Sequence, residues 1–254
     1  MRLLLPLAAT LAAFLVACGG GDETETSPTN TPASPTAVAS MTTEDRAATE
    51  TLLKAAALRL EDLPTGFTLD EEKFSTNEET AEEQKDNPYA PTLEDLNRFG
   101  RLLAYEANYS QEVSAGILTS GGTLYLQVAS AVYEDSEGAS EALEFVREGA
   151  SDPGFADEFQ QNFASSSGVQ VKSATISPMS FAKVGDDRLA FEIKISARSP
   201  GVDTDLEFVG RIVGVQRDRI IDSITMLDLG TPSPVQELED LAATLDERMK
   251  EALD

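Results

Sequence analysis

A strictly alternating run near residue 190 limits the folds open to this chain. In residues 189–198, every second residue is apolar and the residues between are mostly polar or charged. Side chains of a β-strand point alternately to the two faces of a sheet, so this run predicts a strand with one buried and one solvent-exposed face. Two further β-type runs, 206–216 and 219–227, meet at Arg217-Asp218-Arg219, which predicts an antiparallel hairpin.

Helical patterns surround these strands. The spacing of apolar residues predicts helices at 43–58 and 137–148, a third opened by Asp152-Pro153, and a fourth from Val235 with Ser233 to Gln236 as its capping box. Further strands are predicted near 67–74 and 124–133. Strand clusters flanked by helices without a βαβ rhythm indicate an α+β fold, with helices packed on a mostly antiparallel sheet.

Two segments have almost nothing apolar to bury. Residues 19–42 are rich in Thr, Ser, Pro, Gly and acid, so we expect 18–42 to be a flexible tether, with or without glycans, ahead of a single domain at 43–254. The acidic segment 75–92 is expected to be a solvated, mobile insertion of that domain. A calcium-collecting or partner-binding loop is the alternative.

The chain begins with a short basic and apolar segment. After Arg2 comes an apolar run of about 15 residues, shorter than the roughly 20 of a membrane span and typical of an export signal. The run ends in Leu15-Val16-Ala17-Cys18, which resembles the lipobox of bacterial lipoproteins. The resemblance implies a signal peptide at 1–17 and a palmitate-bearing, acylated Cys18. The alternative is an unmodified cysteine at the end of an ordinary signal or anchor helix.

A second resemblance covers residues 58–250. The order DLPTGF, YEDSEGASEALEFV, KVGDD, paired strands and a terminal helix resembles uncharacterised extracytoplasmic lipoproteins and sensor-type ectodomains of bacteria. Those families imply a PsbP-like sandwich of sheet and helices and a place in the cell envelope. With a lipid anchor, that place is the outer face of the cytoplasmic membrane; Gly19 in place of Asp implies the outer membrane in a Gram-negative cell.

Composition excludes several kinds of chemistry. The chain has no histidine, so Ser-His-Asp and Cys-His nucleophile systems cannot form, and its single cysteine permits no intrachain disulfide. Its net charge of −26 repels phosphate backbones, which argues against a nucleic-acid partner. We therefore expect no catalytic residue set, no cofactor and no structural metal.

Two short motifs imitate functional ones. Ser180-Phe181-Ala182-Lys183 has the S-x-x-K spacing of serine β-lactamases, but it follows Pro178 in a predicted strand or loop, and no KTG box follows. Asp203 to Glu207 imitates the first ligands of an EF-hand, but Phe208 and Gly214 stand where that loop needs glycine and glutamate. We expect neither an acyl-enzyme nor a calcium loop.

An aromatic stripe is the remaining candidate site. Phe155, Phe159 and Phe163 are four residues apart on the predicted third helix, whose other residues are mainly polar. Such a stripe is typical of core packing, and its alternative is one wall of a groove for an apolar ligand. The sequence thus predicts a non-catalytic envelope lipoprotein that binds a small apolar ligand or an envelope protein. A hydrolase using carboxylates, serine or lysine is the alternative.

Overall fold

The structure is a computed structural model that describes residues 42–254 except 113, 115, 116, 118, 119, 168 and 199–204. The predicted signal peptide, Cys18 and nearly all of the tether lie outside the described residues. A seven-stranded antiparallel sheet with six α-helices packed on it makes up the described part. The predicted α+β class is confirmed.

The elements follow one another along the chain as separate helices and strands. The helices are α1 (Thr43–Ala56), α2 (Asn77–Glu83), α3 (Leu93–Arg98), α4 (Ser136–Ser151), α5 (Pro153–Ser167) and α6 (Val235–Leu253), with a 3-10 helix at Leu60–Asp62. The strands are β1 (Phe67–Ser75), β2 (Arg101–Gln111), β3 (Gly122–Tyr133), β4 (Gln170–Pro178), β5 (Asp187–Arg198), β6 (Asp205–Arg217) and β7 (Ile220–Leu229). Their spatial order is β1-β2-β3-β7-β6-β5-β4.

The hairpin predicted around residue 218 is confirmed. Strands β6 and β7 pair antiparallel with Arg217 opposite Ile220, and Asp218 in the turn has a φ of 49°. Strand β7 also pairs with β3, so this hairpin lies at the centre of the sheet and joins its two halves.

The register divides the side chains between two faces. On β7, Asp222 lies between Ile221 and Ser223 in sequence, so it points to the opposite face from both. The face of Asp222, which we call the closed face, is covered by α1 and α6. The face of Ile221 and Ser223, which we call the open face, is covered by α2 to α5.

The closed face is a continuous apolar core. Helices α1 and α6 pack against each other as well as against the sheet. Their buried side chains include Leu53, Ala56, Leu238, Leu241, Leu245 and Met249, which meet Leu103, Ala107, Leu126, Val128, Val213 and Ile224 of the strands. Burial of this many aliphatic side chains is the main stabilising contribution to the domain.

Local details differ from the sequence expectations. Helix α6 begins after Pro234 with no side-chain cap hydrogen bond, so the predicted capping box is wrong: the Ser233 hydroxyl instead bonds that of Thr123 at 2.9 Å. Helix α4 runs past Gly149 to Ser151. Strand β3 is buried on both faces, because helices cover both sides of the sheet centre.

The acidic segment 75–92 contains a short helix where a solvated insertion was expected. Helix α2 begins with a capping box in which Thr76 and Glu79 exchange hydrogen bonds. Two residues of this helix, Asn77 and Thr80, are buried. These two polar side chains attach the segment to the sheet through a partner on β2.

Candidate functional site

A cleft on the open face is the strongest candidate site. It lies between α4 and the segment that contains α2 and α3, and its volume is about 70 Å³. Small residues from four adjacent strands form its floor: Ala104, Ala129, Ala131, Gly214 and Ser223. Its apolar walls include Leu96 and Phe99 on one side, and Ala142, Phe145 and Val146 on the other. Space remains there because small side chains face one another where a packed core would place larger ones.

A glycine fixes the wall formed by α4. A Cβ atom at Gly138 would lie 2.0 Å from the carbonyl oxygen of Phe99, so only glycine permits this approach. The Gly138 amide donates to Asp135 Oδ1 at 2.9 Å, which caps the helix. The Phe99 and Phe145 rings meet edge to face with centroids 5.4 Å apart. The two walls are thus in contact through Phe99, which meets both Gly138 and Phe145 of α4.

Arg101 enters the cleft floor through a tight connection. Gly100, with a φ of 66°, follows the last turn of α3 in the left-handed conformation common at helix ends, and β2 begins with the next residue. Arg101 Nε donates to Asn77 Oδ1 at 2.8 Å, and Nη2 donates to Thr80 Oγ1 at 2.6 Å. Nη2 also donates to the Thr76 carbonyl at 3.2 Å. The guanidinium thus holds α2 from beneath.

The charge of Arg101 has no counter-ion of its own. The residue is only 2% exposed, and its Nη1 has no hydrogen-bond partner. Among the residues that the structure describes, no carboxylate lies within ion-pair distance of it, and Glu78 favours its charge only from farther away. Burial lowers the pKa of the guanidinium to about 10, so the group remains charged at neutral pH. Buried charges are ordinarily paired, so an unpaired one in a cleft needs an explanation.

The other charged groups in the cleft are hydrogen-bonded to protein groups. Lys73 Nζ lies 3.0 Å from Glu83 Oε2, and Lys73 stands opposite Glu106 across the strands. Partial burial opposes the charge of Lys73, but its bond to Glu83 and the nearby carboxylates outweigh this and raise its pKa. Glu106 Oε1 accepts from Asn108 Nδ2 at 2.8 Å. The Gln84 side-chain oxygen is a buried acceptor without a partner.

A second buried charge centre lies on the closed face. Asp222 is fully buried opposite Ser130 of β3, and neither carboxyl oxygen has a hydrogen-bond partner. Burial raises its pKa to about 7, and the neighbouring Ser130 opposes this only in part. Because the cleft is lined by Ile221 and Ser223, Asp222 points away from it and cannot act there.

The structure buries the phenylalanine stripe. Phe155, Phe159 and Phe163 are 3%, 0% and 0% exposed. They pack with Ile193, Ile195, Phe208 and Leu227 in a second core cluster of the open face. None of the three lines the cleft. This placement agrees with the core-packing interpretation of the stripe.

The two imitation motifs are not assembled into sites. Ser180 and Lys183 are exposed in the loop between β4 and β5 and are not on a helix. Asp203 and Thr204 lie outside the described residues, and Asp205 pairs with Lys172 and Arg198. The described part of the chain has no group of three or more acidic or thiol side chains able to hold a metal ion. None of its helices has both the length and the apolar character needed to cross a bilayer.

Sequence reasoning missed Arg101 and the small residues of the cleft floor. Arg101 is a basic residue at the first position of a strand that becomes buried, in RLLAYEANYSQ. The alternating small residues Ala129 and Ala131 on β3 were a second signal. Neither pattern indicates a cleft by itself, because the cleft exists only where separate strands and helices meet.

Comparisons with known proteins leave the function open. No family model and no curated protein matches this chain. Among solved structures, the extracellular domain of PknH from Mycobacterium tuberculosis is similar over 79% of this chain and 96% of that one, with 9% identity and a TM-score of 0.42. At this identity and TM-score, the likeness supports no inference about the ligand, location or activity of this chain.

Proposed function

We propose that this protein is a non-catalytic, extracytoplasmic ligand-binding domain, tethered to a membrane by lipid at Cys18, whose cleft on the open face holds a small ligand with an apolar body. The observation that carries the proposal is the cleft itself, with a floor of small side chains under apolar walls in a sheet that is otherwise well packed. Concave apolar sites with a few placed polar groups are typical of small-molecule binding. The volume of about 70 Å³ favours a ligand of only a few carbon atoms or an opening of the walls.

Binding is favoured over catalysis by the groups in the cleft. A hydrolase without histidine would need facing carboxylates, one of them held in a raised-pKa environment. The cleft carboxylates Glu83 and Glu106 are engaged by Lys73 and Asn108. The buried carboxyl with a raised pKa, Asp222, lies on the other face. An enzyme remains the alternative, and turnover of a bound ligand would establish it.

Filling the cleft tests the ligand proposal. Ala131→Phe places a ring over the floor, and Ala47→Phe, at an exposed position of α1, is the matched control. Native mass spectrometry of the full-length protein, purified from its own membrane, should show a small-molecule adduct on the wild type and on Ala47→Phe. The adduct should be absent from Ala131→Phe. An adduct retained by a folded Ala131→Phe variant would place the ligand outside the cleft, and a protein without any adduct would favour an envelope protein as partner.

The anchor has its own test. Cys18→Ser removes the thiol that the lipobox presents for acylation, so the variant should lose palmitate labelling and leave the membrane fraction, because stable retention needs acyl chains. Ser27→Ala, within the tether, is a control that leaves the lipobox intact. Palmitate labelling of the Cys18→Ser variant, with retention in the membrane, would contradict the proposed anchor.

A further inference from the structure

The cleft floor contains a buried cation that makes no ion pair with the described residues. Arg101 is buried in its floor, and the remaining cleft charges, Lys73, Glu83 and Glu106, are engaged with protein groups. Removing a guanidinium from water without a counter-ion is costly, so either the fold accepts this cost or a bound group supplies the missing charge.

The free edge of Arg101 limits what can meet it. Its Nε and Nη2 donate to Asn77, Thr80 and the Thr76 carbonyl, which leaves Nη1 and its two N–H donors without a protein acceptor. These hydrogen bonds hold the guanidinium in one orientation, so Nη1 is a fixed donor rather than a mobile side-chain end. An acceptor that carries negative charge makes the stronger bond to such a donor.

We propose that the cleft takes a small monocarboxylate, with its carboxylate on Arg101 Nη1 and its apolar body over Ala131 and against the joined rings of Phe99 and Phe145. This inference rests on the proposed function, because it names the ligand chemistry of the same cleft. A monocarboxylate places one negative charge on Arg101 and adds less repulsion from Glu83 and Glu106 than a phosphate dianion would. In this arrangement, the unpaired side-chain oxygen of Gln84 accepts a hydrogen bond from the ligand or from a water molecule beside it.

The test compares ligands that differ only in the head group. Full-length protein in lipid nanodiscs is titrated with hexanoate, hexanamide and hexyl phosphate, and saturation-transfer NMR is recorded against empty nanodiscs. The wild type should bind hexanoate about tenfold or more tightly than hexanamide, the difference expected for a charge-assisted hydrogen bond at a buried site. Hexyl phosphate should bind no more tightly than hexanoate. Equal binding of hexanoate and hexanamide, or tighter binding of hexyl phosphate, overturns the monocarboxylate.

Variants assign the preference to Arg101. Arg101→Gln removes the charge but keeps a side-chain amide able to bond Thr80, and it should bind hexanoate and hexanamide equally. Lys172→Met removes a cation that is paired with Asp205 on the surface, away from the cleft, and should keep the preference. A preference that survives in a folded Arg101→Gln variant overturns the role of Arg101. Should that variant fail to fold, the wild-type ratio of hexanoate to hexanamide still decides the question.

The outcomes separate this inference from the proposed function. If hexanoate and hexanamide bind equally and Ala131→Phe abolishes the binding of both, the proposed preference for a carboxylate is wrong. The cleft is then still a ligand site. No binding of any probe, together with an adduct that is unaffected by Ala131→Phe, overturns both.

Discussion

The two faces of the sheet use the same seven strands and differ in how their helices meet. On the closed face, α1 and α6 are in contact with each other and cover the central strands with a continuous layer of leucine, alanine and methionine. On the open face, α4 contacts α5 and meets the end of α3 through Phe99 and Arg98, and the cleft lies between α4 and the rest of the α2–α3 segment. Helices in extensive contact close a face, and helices that meet at only a few residues leave a cleft beside the contact.

Each face also buries a charged side chain that makes no ion pair within the described part of the chain, and these two residues, Asp222 and Arg101, differ in consequence. On the closed face, Asp222 has only Ser130 nearby and a pKa raised to about 7. On the open face, Arg101 has three protein acceptors and one free nitrogen beside a cleft. Arg101 lines the cleft and Asp222 does not. Asp222 is therefore a cost to stability, and Arg101 is a candidate for recognition.

The largest effect is expected where the open face is fully packed. Phe159 belongs to α5 and has no exposed surface. Phe159→Ala should cost about 3–5 kcal/mol of unfolding free energy, because it removes a ring from a close-packed cluster. Chemical denaturation followed by circular dichroism measures this. A cost below about 1.5 kcal/mol would mean that the rings border a cavity, and that the open face is loose beyond the cleft.

The next effect concerns the closed face and depends on pH. The folded-state pKa of Asp222, about 7, lies above the ordinary value, so the folded protein binds a proton that the unfolded chain releases. The contribution of Asp222 to the free energy of unfolding is therefore full at acidic pH. It falls by about 1.4 kcal/mol per pH unit from roughly pH 4 as the pH rises towards 7.

Asp222→Asn should remove that dependence. Its stability relative to the wild type should rise by about 2–3 kcal/mol between pH 5 and pH 8. Asp157→Asn, at an exposed position of α5, is the control and should show no such trend. Parallel pH profiles of Asp222→Asn and the wild type would show that the carboxyl is solvated in the folded state.

A matched pair of alanines compares the packing of the two faces directly. Ala107 on β2 is 0% exposed on the closed face, and Ala131 on β3 borders the cleft. Ala107→Leu should cost about 1–3 kcal/mol through overpacking, while Ala131→Leu should change stability by less than about 1 kcal/mol, because its added carbons enter existing space. Equal costs in thermal unfolding would mean that the two faces are packed alike.

The smallest effect concerns the ion pair between the cleft walls. Arg98 of α3 lies 3.4 Å from Glu141 of α4, and both side chains are about half exposed. Arg98→Gln should change stability by only about 0–1 kcal/mol, with less effect at high salt. A larger loss would show that this ion pair, rather than the contact of Gly138 with Phe99, sets the width of the cleft.

Most of the regular helices and strands of this protein follow from local sequence patterns. Alternation in 189–198 and the hairpin at residue 218 follow from the two-residue period of a strand, and α6 follows from its helical spacing. These signals are read within a few residues of chain, so they do not depend on the rest of the fold. The α+β class follows from their order. The predicted acylation of Cys18 and the predicted tether at 18–42 also rest on the sequence alone, and both remain predictions.

The formation of the candidate site depends on tertiary contacts between distant parts of the chain. Strand β4 and the short helices α2 and α3 lack a strong period of their own and are held by contacts with distant elements. The cap of α6 was decided in the same way, because Ser233 meets Thr123 rather than its own helix. The cleft needs residues from 73 to 223 to converge, and the unpaired state of Arg101 depends on which side chains arrive around it. Burial and pairing are properties of that convergence, and no single stretch of the chain encodes them.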